Sequence, residues 1–295
     1  LLEELVRDAE KAVKVVKESG CKDKEVLECA ELLDKVSHQD IEEVNGRIEL
    51  KNGVAKDRII SVNDPEMRHG HKSSKGRVDG YKVHVVVEPN SEVISDIEVD
   101  YANGTDAEEV PGAIDRLEEK GIKPGELVGD CAYGSGDTRA EAKEKGVSIV
   151  SKVPRATNSK GKFSKDDFVI DLEGNKVTCP GGQTTTKYLV GKDRKSRPVK
   201  VFVFSEEACR ACPLREQCTT KGNSGRTVTV NYHEGILQDA KRYQGTKEFK
   251  EKYSKRPIAE RVIADLNRHG GAKSRYIGKV KTRLQEPLVA TAHNI

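Results

Sequence analysis

Four cysteines, Cys179, Cys209, Cys212 and Cys218, lie between an aspartate that ends an apolar run, Asp130, and a glutamate in a helical stretch, Glu260. Four thiolates are the number and type of ligand that tetrahedral Zn²⁺ takes, and Cys209-x2-Cys212 has knuckle-like spacing. Reduced thiols in a small folded segment are the alternative use. Carboxylates are hard oxygen donors of the kind that hold Mg²⁺. Cys21, Cys29 and Cys131 have no partner by spacing. Seven cysteines, an odd number, argue against a disulfide framework.

Asp130 follows Gly125-Glu126-Leu127-Val128-Gly129 and precedes Cys131-Ala132-Tyr133-Gly134, a short apolar strand running into small residues. Ligands of α/β sheets gather at the C-terminal ends of strands, and small neighbours leave room for a metal and a phosphate. An aspartate at such a place also caps turns. Tyr253, Arg256, Glu260 and Asn267 recur at i, i+3, i+7 and i+14, so one continuous helix would project all four from nearly one face, beside a buried stripe of Ile258, Val262 and Leu266. A solvated salt-bridge face has the same spacing.

The elements that must position these groups follow from periodicity. Leu2, Leu5, Val6, Ala9, Val13 and Val16 predict an amphipathic first helix, and Lys24 to Val36 a second, followed by a loop or short hairpin around Gly46 and Gly53. Strands are expected at Ile59–Val62, Tyr81–Val87 and Val93–Val99, the last two joined by a turn at Pro89-Asn90-Ser91. Met67–Asp79 reads as an exposed basic loop. A helix from Thr105 to Leu117, the Asp130 strand, a helix from Thr138 to Lys145 and a strand from Val147 to Val153 follow. This hairpin, helix, strand, helix, strand order is what a mixed sheet with crossover helices requires. Short strands are expected at Phe168–Leu172, Val199–Phe204 and Thr227–Val230, then one long helical region from His233 to Gly270-Gly271 and a last helix from about Thr282.

Composition is globular: 295 residues, 34% charged, no Trp, with a core to be built from Val, Ile, Leu and Ala. The net charge of +3 is unevenly spread. Residues 1–50 carry 14 Asp and Glu against 8 Lys and Arg, and residues 241–283 carry 14 Lys and Arg against 4 acids, so a polyanion would favour the C-terminal part. Candidate phosphate contacts are His69, His71, Lys72, Lys75 and Arg77 in one stretch and Lys273, Arg275, Lys279, Lys281 and Arg283 in another. No signal peptide or membrane span is visible, which predicts a cytoplasmic protein.

Tyr253-x2-Arg256-x3-Glu260-x6-Asn267 resembles the Y-x2-R-x3-E-x6-K signature of insertion-sequence transposases of the DDE type. Gly129-Asp130-Cys131-Ala132-Tyr133-Gly134 resembles their second-Asp strand. Similar matches run through Asp64-Pro65-Glu66-Met67-Arg68-His69-Gly70, Gly80-Tyr81-Lys82-Val83-His84 and the cysteine segment from Cys179-Pro180-Gly181-Gly182 to Cys218-Thr219. The resemblance extends from about Arg58 onward, with its motifs in the family's order. It implies an α/β (α+β), RNase H-like mixed sheet flanked by helices, with a catalytic core over 58–154 and 232–295, a Cys-rich insertion over 155–231 and a helical segment over 1–57 whose start looks cut.

The chemistry it implies is a two-Mg²⁺ site in which Asp130 stands as the second acid and Glu260 as the third. Water or a DNA 3′-hydroxyl would attack a phosphodiester there. Tyr253, Arg256, Asn267, Arg268, Lys273 and Arg275 would contact DNA, in a homodimeric synaptic complex at the prokaryotic nucleoid. The signature's Lys is Asn267 here, with Arg268 adjacent. The family's first Asp has no match; Asp64 is the nearest candidate, and Pro65 gives it the look of an ordinary turn residue as well. A chain without that first Asp would bind DNA and cut poorly or not at all. A zinc-stabilised DNA-binding remnant and a metal-dependent nuclease are the rival readings.

Overall fold

Apolar residues at helical spacing close against one another in the first two helices, Leu2–Glu18 (α1) and Lys24–His38 (α2), where Val6, Val13 and Ala30 are buried. Asp23 starts α2 by accepting the backbone N–H groups of Glu25 and Val26. The computed structural model describes all residues except 54, 56, 72–75, 159, 221 and 223. Strands Ile41–Val44 (β1) and Arg47–Leu50 (β2) then form a hairpin around Asn45 and Gly46, both at positive φ as a two-residue hairpin turn demands.

Two expectations for the next stretch are corrected. Ile59–Val62 is apolar yet not a strand, because the Gln39 side chain takes both backbone groups of Ile59: its Oε1 accepts the N–H at 2.8 Å and its Nε2 donates to the carbonyl at 3.0 Å. The basic stretch 67–79 is not a plain loop. Arg68–His71 (β3) pairs antiparallel with Arg77–Val87 (β4), His69 opposite Asp79, and Lys72 and Lys75 lie outside the described residues. Gly70 is obligatory in β3, since a Cβ there would stand 2.3 Å from the Ala102 carbonyl oxygen. β4 pairs in turn with Ile94–Tyr101 (β5) through the expected turn, in which the Glu88 carboxylate accepts the N–H groups of Asn90 and Ser91.

Asp106–Glu119 (α3), Glu126–Val128 (β6), Gly136–Glu144 (α4) and Ser148–Val150 (β7) follow in the predicted order, with both strands shorter than expected. β6 and β7 are parallel, Leu127 opposite Ile149 and Val128 opposite Val150. Val110, Ile114, Ala142 and Val147 form the core between the helices and these strands. The Cys-rich segment contains more sheet than the sequence suggested: Val169–Asp171 (β8), Lys176–Thr178 (β9) and Thr184–Thr185 (β10) in one sheet, and Tyr188–Lys192 (β11), Pro198–Val203 (β12) and Thr227–Val230 (β13) in another. Two short helices, Glu206–Arg210 (α5) and Arg215–Cys218 (α6), lie between β12 and β13, and the core is Phe168, Val177, Phe202, Phe204, Val228 and Val230.

The long helical region is built of three helices, Glu234–Gln244 (α7), Lys247–Tyr253 (α8) and Arg256–Leu266 (α9). Thr246 restarts the chain as an N-cap, its hydroxyl accepting the Phe249 N–H, and Ser254-Lys255 separates α8 from α9. A π-helical segment, Asn267–Gly271, continues α9 and kinks at Gly270, φ 107°, before the chain leads towards Lys279–Asn294 (α10). Val262, Leu266, Ala290 and Ile94 form a third core.

The fold is mixed α and β, as the resemblance implies, and it divides into two compact units. One comprises Leu1–Thr105 with Ile258–Ile295, the other Asp106–Pro257. The β3-β4-β5 sheet belongs to the first, and the β6-β7 pair and both small sheets of the Cys-rich segment belong to the second.

Candidate functional site

At the C-terminal end of β6 the parallel ladder continues one residue beyond the strand, Gly129 N–H donating to the Val150 carbonyl at 3.1 Å. Asp130 follows in extended conformation and caps a single 3₁₀ turn, Cys131–Tyr133, its Oδ1 accepting the Ala132 N–H at 2.8 Å. The capping reading therefore holds for one carboxylate oxygen. Oδ2 has no hydrogen bond among the described residues, and the side chain is half-buried, so the group keeps lone pairs for a ligand.

Asp130 is held by β7. The Ser151 hydroxyl, fully buried, donates to the Asp130 carbonyl at 2.5 Å. Arg139 of α4, also buried, spends its guanidinium on three backbone carbonyls: Gly134 at 3.0 Å, Ile149 at 2.8 Å and Ser151 at 2.7 Å. Burial pushes its pKa down. Gly134 must be glycine, because a Cβ would meet Ser151 Oγ at 2.4 Å and Arg139 Nη2 at 2.8 Å. Neither Arg139 nor Ser151 carries a spacing signal in the sequence; their roles follow only from the register of β6 and β7.

Tyr253 ends α8 and Arg256 begins α9, so the helix break parts the first two members of the predicted face. Tyr253 stacks on Phe249, ring centroids 5.3 Å apart, and Arg256 lies 5.8 Å from the Tyr253 ring centre. Glu260 is exposed on α9, in the other unit from Asp130. Asn267 and Arg268 fall in the π-helical segment that continues α9 and are exposed, Arg268 pairing with Asp265 at 3.2 Å. The break at Ser254-Lys255 thus parts Tyr253 from the expected face, while Arg256, Glu260 and Asn267 lie on one continuous helical stretch.

Asp64, in the first unit, has a different environment. It is buried, and both its oxygens accept the Tyr81 hydroxyl, at 2.9 and 3.0 Å. Oδ2 also accepts the Gly278 N–H at 3.0 Å, and Oδ1 the Glu66 N–H at 3.3 Å. Glu66 accepts the Lys279 N–H at 2.6 Å, so the 64–66 turn covers the exposed amides at the start of α10. Burial, then the Asp64 hydrogen bond, pushes the Tyr81 pKa up.

The basic loop before α10 is shaped by a residue the sequence reading passed over. Gln285, buried, donates to the carbonyls of Lys273 at 2.9 Å and Gly270 at 3.2 Å and accepts the Arg275 N–H at 2.8 Å. Lys273, Arg275 and Lys281 are exposed, whereas Lys279 pairs with Asp100 and Arg283 with Glu98. In β3, His69 pairs with Asp79.

The four cysteines come together. They are reduced and line one pocket with Phe163, Phe204 and Arg226. Cys179 sits in a turn closed by Gly182 N–H to its carbonyl, and a Cβ on Gly181 would be 3.1 Å from Cys212 Sγ and 3.7 Å from Cys179 Sγ. Arg226 N–H donates to Cys209 Sγ at 3.4 Å. Burial pushes the Cys218 thiol up. No three His, Cys, Asp or Glu side chains among the described residues close onto a common metal-holding point. Among those residues, too, no helix is long and apolar enough to cross a membrane.

Residues 178–295 match a family described as Transposase DDE domain. The match takes in the cysteine segment, Tyr253, Glu260 and α10, and it begins after Asp130. No curated protein and no solved structure matches the chain.

Proposed function

We propose, from the match of residues 178–295 to a family described as Transposase DDE domain, that the chain is a transposase catalytic region that cleaves DNA at insertion-sequence ends and joins the strands to a target. The observation that carries this reading is Asp130, a carboxylate with open lone pairs at the C-terminal rim of a parallel strand pair, in a chain whose Glu260 lies inside the family match. Asp130 and Glu260 would be the Mg²⁺ ligands, with Asp64 the candidate for the first acid. The donor chemistry fits, since Mg²⁺ takes one or two protein carboxylates and completes its shell with water and phosphate. Bound Mg²⁺ would sharpen the attacking oxygen and stabilise the leaving one. This reading joins 58–154 and 232–295 into one RNase H-like core and makes 155–231 its insertion.

The chain's own residues do the remaining work. Arg139 and Ser151 fix the turn that presents Asp130. Tyr253, Arg256, Asn267, Arg268, Lys273 and Arg275 would hold the DNA backbone, in a homodimer that brings two ends together at the nucleoid. Cys179, Cys209, Cys212 and Cys218 line one pocket and would be the thiols for one Zn²⁺, drawing in from positions that share no common metal-holding point among the described residues; bound there, the ion would lock the small sheets. Metal analysis of the purified chain is expected to read one zinc per chain, lost in Cys212→Ser.

Asp64 favours a second reading, because its oxygens are already occupied by Tyr81, Gly278 and Glu66. That reading is a DNA-binding remnant with structural carboxylates. Incubation with DNA from the borders of the coding element, with and without Mg²⁺, separates the two. Mg²⁺-dependent cleavage and joined products, abolished in Asp130→Asn, support the transposase. Cleavage without joining marks a nuclease, and binding without cleavage marks the remnant.

A further inference from the structure

Most lysines around the β6–β7 region spend their charge on a carboxylate: Lys252 on Glu126 and Glu248, Lys241 on Asp166, Lys145 on Asp115 and Lys195 on Asp137. Lys152 does not. It is exposed, and among the described residues its ammonium meets only the face of Tyr253, 4.9 Å from the ring centre. It is also placed by the same device that places Asp130. Val128 pairs with Val150 in the parallel ladder, so the residues two beyond the ladder on each strand are Asp130 and Lys152. Ser151, immediately before Lys152, is tied through its hydroxyl to the Asp130 carbonyl and through its own carbonyl to Arg139.

We propose that Lys152 is a phosphate-binding residue at the rim of the β6–β7 pair, its ammonium held over the Tyr253 ring so that a DNA backbone phosphate next to Asp130 is gripped there. Resting on a ring face uses the quadrupole of the aromatic and costs the ammonium none of its three N–H donors. A lysine at such a place acts as a point charge for phosphate, and ligands collect at the C-terminal ends of parallel strands. Tyr253 then has a physical task of its own: stacked on Phe249 at an interplanar angle of 13°, it is a fixed platform that limits where the lysine points. Lys152 is a positioning residue for the reacting phosphodiester, and this assignment rests on the transposase reading.

The test is the salt dependence of binding to a border-derived DNA duplex of about 30 base pairs, a length chosen to span several helical turns at one charge per roughly 1.7 Å. Each phosphate contact releases counterions, so losing one lowers the slope of log K against log salt by about 0.9. Lys152→Met, which keeps the stem over the ring, is expected to show that decrease and to weaken binding several-fold on any sequence. Lys152→Arg should keep the wild-type slope. Tyr253→Leu should leave the slope in place and lower affinity by a smaller factor, because charge remains and only its aim is lost. A wild-type slope in Lys152→Met overturns the assignment while leaving the transposase reading standing. Failure of the wild-type chain to bind the duplex overturns both.

Discussion

Asp64 and Asp130 are both aspartates beside a tight turn, and the structure treats them oppositely. Asp64 is buried and accepts from three donors, the Tyr81 hydroxyl shared between its two oxygens and the N–H groups of Gly278 and Glu66. Asp130 is half-buried and accepts one, from Ala132. A carboxylate surrounded by donors is a structural brace, because removing it strands buried N–H and O–H groups. A carboxylate with one bond at a strand rim has capacity to spare. The same residue type thus serves stability in one place and is available for chemistry in the other.

The sharpest way to break this comparison is to neutralise Asp130. Asp130→Asn keeps an N-cap acceptor, so urea unfolding should be nearly unchanged, while Mg²⁺-dependent cleavage falls on the order of a thousandfold, as expected for a metal ligand worth several kcal/mol at the transition state. Retained cleavage would remove Asp130 from the site. The converse substitution, Asp64→Ala, should lower unfolding stability by about 3 kcal/mol, since it leaves the Tyr81 hydroxyl and the Gly278 amide without their acceptor.

A third carboxylate extends the comparison. Glu286 is buried on α10, and burial pushes its pKa from the ordinary 4.5 up to about 7. The folded state therefore prefers the neutral acid. Its contribution is most favourable below pH 4.5, is lost as pH rises from there to about 7, and stays unfavourable above that. Glu286→Gln should accordingly stabilise the chain at pH 8 by up to roughly 3 kcal/mol and by almost nothing at pH 4.5; a gain independent of pH would contradict the assignment. The smallest effect belongs to Tyr81→Phe, which removes one donor from Asp64 and should cost about 1 kcal/mol in chemical denaturation.

The first helix was legible because its apolar spacing is regular, and the β6–β7 order was legible from short apolar runs set between helices. Ile59–Val62 misled because nothing in an apolar run says that a distant glutamine will take its backbone groups. The 67–79 stretch misled because His, Lys and Arg are common in loops, whereas here Arg68–His71 pairs antiparallel with the start of β4. The long helical region expected from His233 to Gly270-Gly271 breaks at Gly245-Thr246, where the Thr246 side chain caps a new helix, and again at Ser254-Lys255, although the amphipathic pattern continues. Within the candidate site, Asp130 could be read from its strand and small neighbours. Lys152, Arg139 and Ser151 could not, because only the parallel register brings them to the same rim.

Gln285 has a consequence for how a polyanion would be received. One amide side chain fixes the carbonyls of Gly270 and Lys273 and the N–H of Arg275, so the segment bearing two cationic side chains already has its shape before any partner arrives. A preorganised loop gives up little conformational freedom on association, and a neutral amide, unlike an ion pair, is not weakened by the salt that competes for the partner. Ionic strength would then modulate the attraction itself and leave the receiving surface unaltered.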